Sequence, residues 1–139
     1  MDAALAYRTH NAFRLAGPLT FPQHGPCNAR LGVDVVDTGL AGDARTLILV
    51  LPWAIEGLIF VPDEHFPSSI VIGSSIVIGG QRYRVFHHEL PGLGHFRTVD
   101  LVPDVTPLAS PHHARKIAYL IGPSFRDAVA RARRQIFAA

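Results

Sequence analysis

The chain of 139 residues, 48% hydrophobic and 17% charged, is long enough for one domain to bury a core without staples. Its single cysteine, Cys27, excludes an intrachain disulfide framework and any Cys-x-x-Cys site, which fits a reducing compartment. The net charge of +2 hides a division: residues 111–139 carry six Lys/Arg against Asp127, a net +5, which leaves −3 for residues 1–110. Such a basic tail is expected to face an acidic partner surface or nucleic acid, or else to be the wet face of a helix. The longest apolar runs, Thr46–Leu51 and Ala54–Val61, are split by Pro52-Trp53 and fall short of a bilayer span. The N-terminus lacks the basic start and apolar stretch of a signal peptide, so a soluble intracellular product is expected.

In chain order, Asp2–Leu15 suits a short helix capped by Asp2 and anchored by Leu5, Tyr7 and Phe13, or a loosely held arm. Gly17–Pro26 holds three prolines and two glycines, which argues for a loop or extended arm. Ala29–Val36 alternates Leu31, Val33 and Val35 against Arg30, Gly32 and Asp34, the pattern of a strand with one wet face. An acidic, turn-rich loop is expected over Asp37–Asp43, and a second strand over Arg45–Leu51, stopped by Pro52. Trp53–Val61 suits a third strand or a short helical turn, and Pro62–Pro67 a loop enclosing Asp63, Glu64, His65 and Phe66.

The central stretch repeats one unit, Ser-Ser-Ile-Val-Ile-Gly, at Ser68–Gly73 and Ser74–Gly79. β-branched residues closed by glycine fit pleated strands ending in turns or bulges. Gly79-Gly80 has the form of a two-residue hairpin turn, and Arg82–Phe86 then alternates Tyr83 and Val85 against the arginines. After the turn Pro91–Gly94, Phe96–Val102 alternates again, so the segment is a meander. Pro103–Pro111 is a proline-bounded linker. Ser124 and Asp127 have capping-box spacing, and Phe125, Val129, Ala132 and Ile136 share one helical face, which predicts a helix over 124–137 with Pro123 discouraging helix upstream. Arg131, Arg133 and Arg134 sit near its C-terminal end. The expected fold is mainly β: a small barrel or sandwich built on the meander (29–104), preceded by a short N-terminal helix or arm with a proline-rich loop (1–28). A linker and basic C-terminal helix follow (105–139).

Catalytic motifs are missing from the sequence. No Gly-x-Ser-x-Gly, phosphate loop or dinucleotide fingerprint occurs, and Cys27 sits in a proline-rich stretch without an activating base. Of eight histidines, His87, His88 and His95 with Glu89 are the one cluster that suggests a metal. A strand puts His87 and His88 on opposite faces, which leaves at most two imidazoles and Glu89, short of a closed zinc set. The readings kept open are a small metal-binding barrel or metal-dependent enzyme on these residues, and a single-stranded nucleic-acid-binding barrel using Arg82, Arg84, Phe86 and Arg97. The expectation is no enzyme, no cofactor and no metal.

The run Ile-Val-Ile-Gly-Ser-Ser-Ile-Val-Ile-Gly-Gly-Gln-Arg-Tyr-Arg-Val, preceded by an acidic proline loop and followed by a polar turn and a strand ending Val-Asp-Leu-Val, resembles the head-completion or stopper proteins of siphophages. Gly73, Ile76, Ile78, Gly80, Tyr83 and Val85 occupy the positions of that family's motif, and the similarity spans Arg45–Val102, about 40% of the chain. The arm at Gly17–Pro26 and the basic helix after Pro123 have no counterpart in the pattern, leaving the neck slot open between stopper, tail terminator and another neck component such as an adaptor. The resemblance implies a virion neck protein, made in the host cytoplasm and unattached to membrane. It would form a ring of six or twelve copies between portal or adaptor and tail terminator or tail tube, with DNA passing through. The interface residues then expected are Asp63, Glu64, His65, Phe66, His95, Arg126, Arg131, Arg133 and Arg134. The acidic stretches Asp37–Asp43 and Pro62–Pro67 would make axial contacts or line the channel, and the basic helix would dock on an acidic neighbour.

Overall fold

The computed structural model describes residues 2–20, 27–61 and 75–138; for 16–20 and 133–138 only the backbone course is described. Six strands, β1 (Asp34–Ala41), β2 (Ala44–Val50), β3 (Ile55–Phe60), β4 (Ser75–Ile78), β5 (Gln81–Leu90) and β6 (Gly94–Val102), form one antiparallel sheet in the order β1-β2-β3-β6-β5-β4. Helix α1 (Ala3–Thr20) covers one face, and α2 (Pro111–Ala138) runs across the other. The fold is therefore mainly β, but the sheet is open, with β1 and β4 as its edges, and the expected barrel or sandwich is not formed. Two helices bury what closure or a second sheet would otherwise have buried.

Alternation decides which residue meets which helix. Ile48, Val50, Ile55, Ile59, Val99 and Leu101 pack against Ala114, Ala118, Phe125, Ala128 and Val129 of α2. Leu47, Leu49, Leu58, Phe60 and Phe96 pack against Leu5, Ala12 and Phe13 of α1. β3 is buried at every position because both of its faces are covered. Gly57 lies beneath the ring of Phe125, where an added Cβ would collide, so its missing side chain lets α2 come close.

The hairpin turn expected at Gly79-Gly80 is present, with φ of 58° and 80°, and pairs Ile78 with Gln81. The turn after β5 falls at Pro91–Leu93, and the cap at Asp2 is present, its Oδ1 accepting the N–H of Leu5 at 3.0 Å. Leu5 and Phe13 anchor α1 as expected, whereas Tyr7 is 70% exposed.

Four expectations need correction. α1 continues through Gly17-Pro18 to Thr20, so part of the expected loop is helical; residues 21–26 lie outside the described residues. The first strand starts at Asp34, because Asn28 ties residues 28–31 into a turn: its Oδ1 accepts the N–H of Arg30, and its Nδ2 donates to the carbonyls of Val105 and Leu108 at 3.0 and 2.8 Å. Asp37–Ala41 is strand, paired to Ala44–Ile48 and turned at Gly42-Asp43, with a bulge near Val36 absorbing the register change. Finally, α2 begins at Pro111, with Ser110 Oγ accepting the N–H of His113 at 3.1 Å, so Ser124 caps nothing. Pro123 lies inside that helix on its exposed side, so the Tyr119 carbonyl it cannot bond can turn to water. The apolar face on both sides of it outweighs that loss.

Candidate functional site

The basic helix meets its acids within the same chain. Arg115 Nη1 pairs with Asp34 of β1 at 2.6 Å, and Arg126 pairs with Asp37, the more buried of the two contacts. An added Cβ on Gly122 would strike the Asp37 carboxylate, so glycine there is part of how α2 settles on β1. Arg131 pairs with Asp127 one turn earlier and donates to the Val77 carbonyl of β4 at 3.3 Å. Arg126 and Arg131 thus brace the fold, and Asp37, expected in a loop, is held in strand β1 against α2. Arg133 and Arg134 lie in the last turns of α2, and Asp63, Glu64, His65 and Phe66 lie outside the described residues.

What α2 leaves outward is a strip near its start: His112, His113, Lys116, Tyr119 and Leu120 are all exposed. His112, Arg115, Lys116 and Tyr119 with Val36 border a shallow depression of about 480 Å³ beside β1. At the opposite edge of the sheet, Arg82, Arg84 and Phe86 share an exposed face of β5, with the Arg84 guanidinium 5.2 Å from the centre of the Phe86 ring. Arg97 is not part of that stripe; it projects from the other face of β6 and is 3% exposed.

At the turn end of the β5–β6 hairpin, Glu89 stands opposite His95 and His87 opposite Arg97. His95 Nε2 lies 2.8 Å from Glu89 Oε2, and His95 Nδ1 lies 3.1 Å from His87 Nε2. Burial, followed by the charges of His95 and Arg97, lowers the pKa of His87. His88 points to the opposite face, between Phe86 and Phe96. The sequence rule that one histidine of the pair could join His95 therefore selects His87. Among the described residues no three His, Cys, Asp or Glu side chains converge on a common point.

One polar pair escaped the sequence reading. Glu56 of β3 is 1% exposed, shares a hydrogen bond with Asp100 across the β3–β6 ladder, and has no partner for Oε2. Burial first, then Asp100, pushes its pKa well above the ordinary carboxylate value, so it is held as the neutral acid. A glutamate inside the apolar run Ile55–Phe60 was the available signal. No helix among the described residues is long and apolar enough to cross a membrane. No family model, curated protein or solved structure matches the chain.

Proposed function

We propose that this chain is a structural subunit of a tailed-phage neck, of the head-completion or stopper kind. It closes into a ring between portal or adaptor and tail and helps to retain or pass DNA. The observation that carries this reading is that the two sheet edges expose different side chains. At the β1 edge Leu40 is 71% exposed on the α1 face, and Tyr119 and Leu120 of α2 are 66% and 68% exposed on the other. The β4 side shows Val77 at 44% and Phe86 at 37%, with Arg82 and Arg84 beside them. Unlike apolar side chains at the two edges of one sheet suit head-to-tail contact, and head-to-tail contact that closes makes a ring. The ion pairs on α2 support the same role, since a subunit gripped from two sides has to hold its own edges in fixed relation.

Electron microscopy and light scattering test this on the chain alone and mixed with a portal–adaptor complex. Rings of six or twelve copies are expected, lost in Leu40→Glu and in Val77→Glu, whose exposed positions leave the core intact. A single unassembled molecule in every mixture ends the reading. The Arg84–Phe86 contact favours a second reading, a stacking surface for single-stranded nucleic acid. Oligonucleotide binding that weakens with salt and disappears in Arg82→Ala/Arg84→Ala would favour it.

A further inference from the structure

The two edges of the sheet match in strand direction, in outward main-chain groups and in the face their side chains take. Strands alternate along the order β1-β2-β3-β6-β5-β4, so β4 runs opposite to β1, and a second copy set with its β1 against β4 continues the antiparallel alternation. Ala41–Ala44 and Ile78–Gln81 close two-residue turns as hydrogen-bonded pairs. The next pairs along, Leu40–Arg45 and Val77–Arg82, are then of the non-bonded kind, so Leu40 and Val77 turn their N–H and C=O outward from the edge. In keeping with that direction, the Val77 carbonyl accepts from Arg131 at 3.3 Å. The side chains of Leu40 and Val77 share the α1 face, since their strand neighbours Ala41, Ile76 and Ile78 pack on the α2 face.

Resting on the head-to-tail association proposed above, we infer that β4 of one copy adds to β1 of the next, making one sheet that runs from copy to copy with Val77 seated beside Leu40. The α1 side of β1 has a place for the incoming side chain. An open depression of about 300 Å³ is lined there by Leu5, Thr38, Leu40 and Thr46 and bordered by the Asp2–Arg45 ion pair. Arg82, opposite Val77 and on the same face, brings a second cation to the partly exposed Asp2 carboxylate. A two-fold contact of β1 with β1 brings no such cation and leaves Val77 exposed. Charges on an edge strand ordinarily keep it from pairing, but those of β1, Asp34 and Asp37, are already held by Arg115 and Arg126 of α2. Arg131 keeps Asp127 and need not leave β4, because a carbonyl accepts two hydrogen bonds.

The test uses the full chain carrying Cys27→Ser, with Leu40→Cys in one preparation and Val77→Cys in another, treated with a short bis-maleimide. Linked pairs are expected when the two preparations are mixed and not in either alone. Hydrogen exchange on the wild-type chain reads the same contact without a variant: the Leu40 and Val77 amides should slow at least about tenfold between dilute and assembled chain. Linking within the Leu40→Cys preparation alone would assign β1 to a two-fold contact and overturn the inference. Rings whose Leu40 and Val77 amides exchange as fast as in dilute chain would overturn it while leaving the ring itself standing. A chain that stays single in every mixture overturns both.

Discussion

The two faces of the sheet are made by the same strands and yet pack by different means. On the α2 face the strands supply mainly Ile and Val and the helix mainly Ala, so the backbones come close; the ring that α2 inserts, Phe125, rests on Gly57. On the α1 face the gap is filled by rings instead, with Phe96 6.0 Å from Phe13 and 5.6 Å from Phe60 between centroids. That second face is also the one that takes in Glu56, which lies opposite Leu49 and Asp100. Small residues bring a helix near enough to be fenced by ion pairs at the sheet edge, whereas a ring-filled layer tolerates a neutralised carboxyl within it.

The largest effects should come from the rings. Phe125→Ala and Phe96→Ala, both fully buried, are each expected to cost about 3–5 kcal/mol in denaturant unfolding. Equal losses would make both layers halves of one cooperative fold; a much smaller loss for Phe96→Ala would make α1 a strap on a body held by α2. Gly57→Ala should cost less, about 1–3 kcal/mol, because the ring above it has to shift.

Glu56 gives the α1 face a pH dependence of its own. Its folded-state pKa is raised above the unfolded value of about 4.3, so its contribution is fully present below that value and is lost as pH rises through the folded pKa. Stability measured by unfolding should therefore fall with rising pH across that window, with a slope of at most about 1.4 kcal/mol per pH unit, and Glu56→Gln should flatten it. A slope unchanged in Glu56→Gln would assign the effect to another group.

The smallest effects grade the fence on the α2 side. The Arg126–Asp37 side chains are 28% and 20% exposed, and Arg126→Ala should cost about 1.5–3 kcal/mol by leaving a half-buried carboxylate alone. Arg115 and Asp34 are 48% and 37% exposed, and Arg115→Ala should cost less than about 1 kcal/mol. If the two costs are equal, burial is not what grades these pairs. Thermal unfolding of the two variants under one buffer decides it.

Signals confined to a few residues were legible in the chain. The positive φ demanded by Gly79-Gly80, the cap at Asp2 and the alternation of β5 and β6 all depend on neighbours within a few positions. Alternation also limited the partner of His95 to one of His87 and His88, and the strand pairing decided for His87. Helix α2 was only half visible, because Pro123 reads locally as a stop while the apolar face that carries the helix through it is worth something only against a sheet. Ser110-Pro111 was a local start signal that the linker reading passed over.

The sequence by itself therefore determined a mainly β chain with its turns, its meander and a helical C-terminus, since periodicity and glycine conformation are properties of short stretches. Only the tertiary structure decided that the sheet stays open, that Asp34 and Asp37 absorb the charge of Arg115 and Arg126, and that Glu56 is buried beside Asp100. Those outcomes depend on which surfaces meet across separations of 44 to 89 residues, and no local pattern encodes such a meeting.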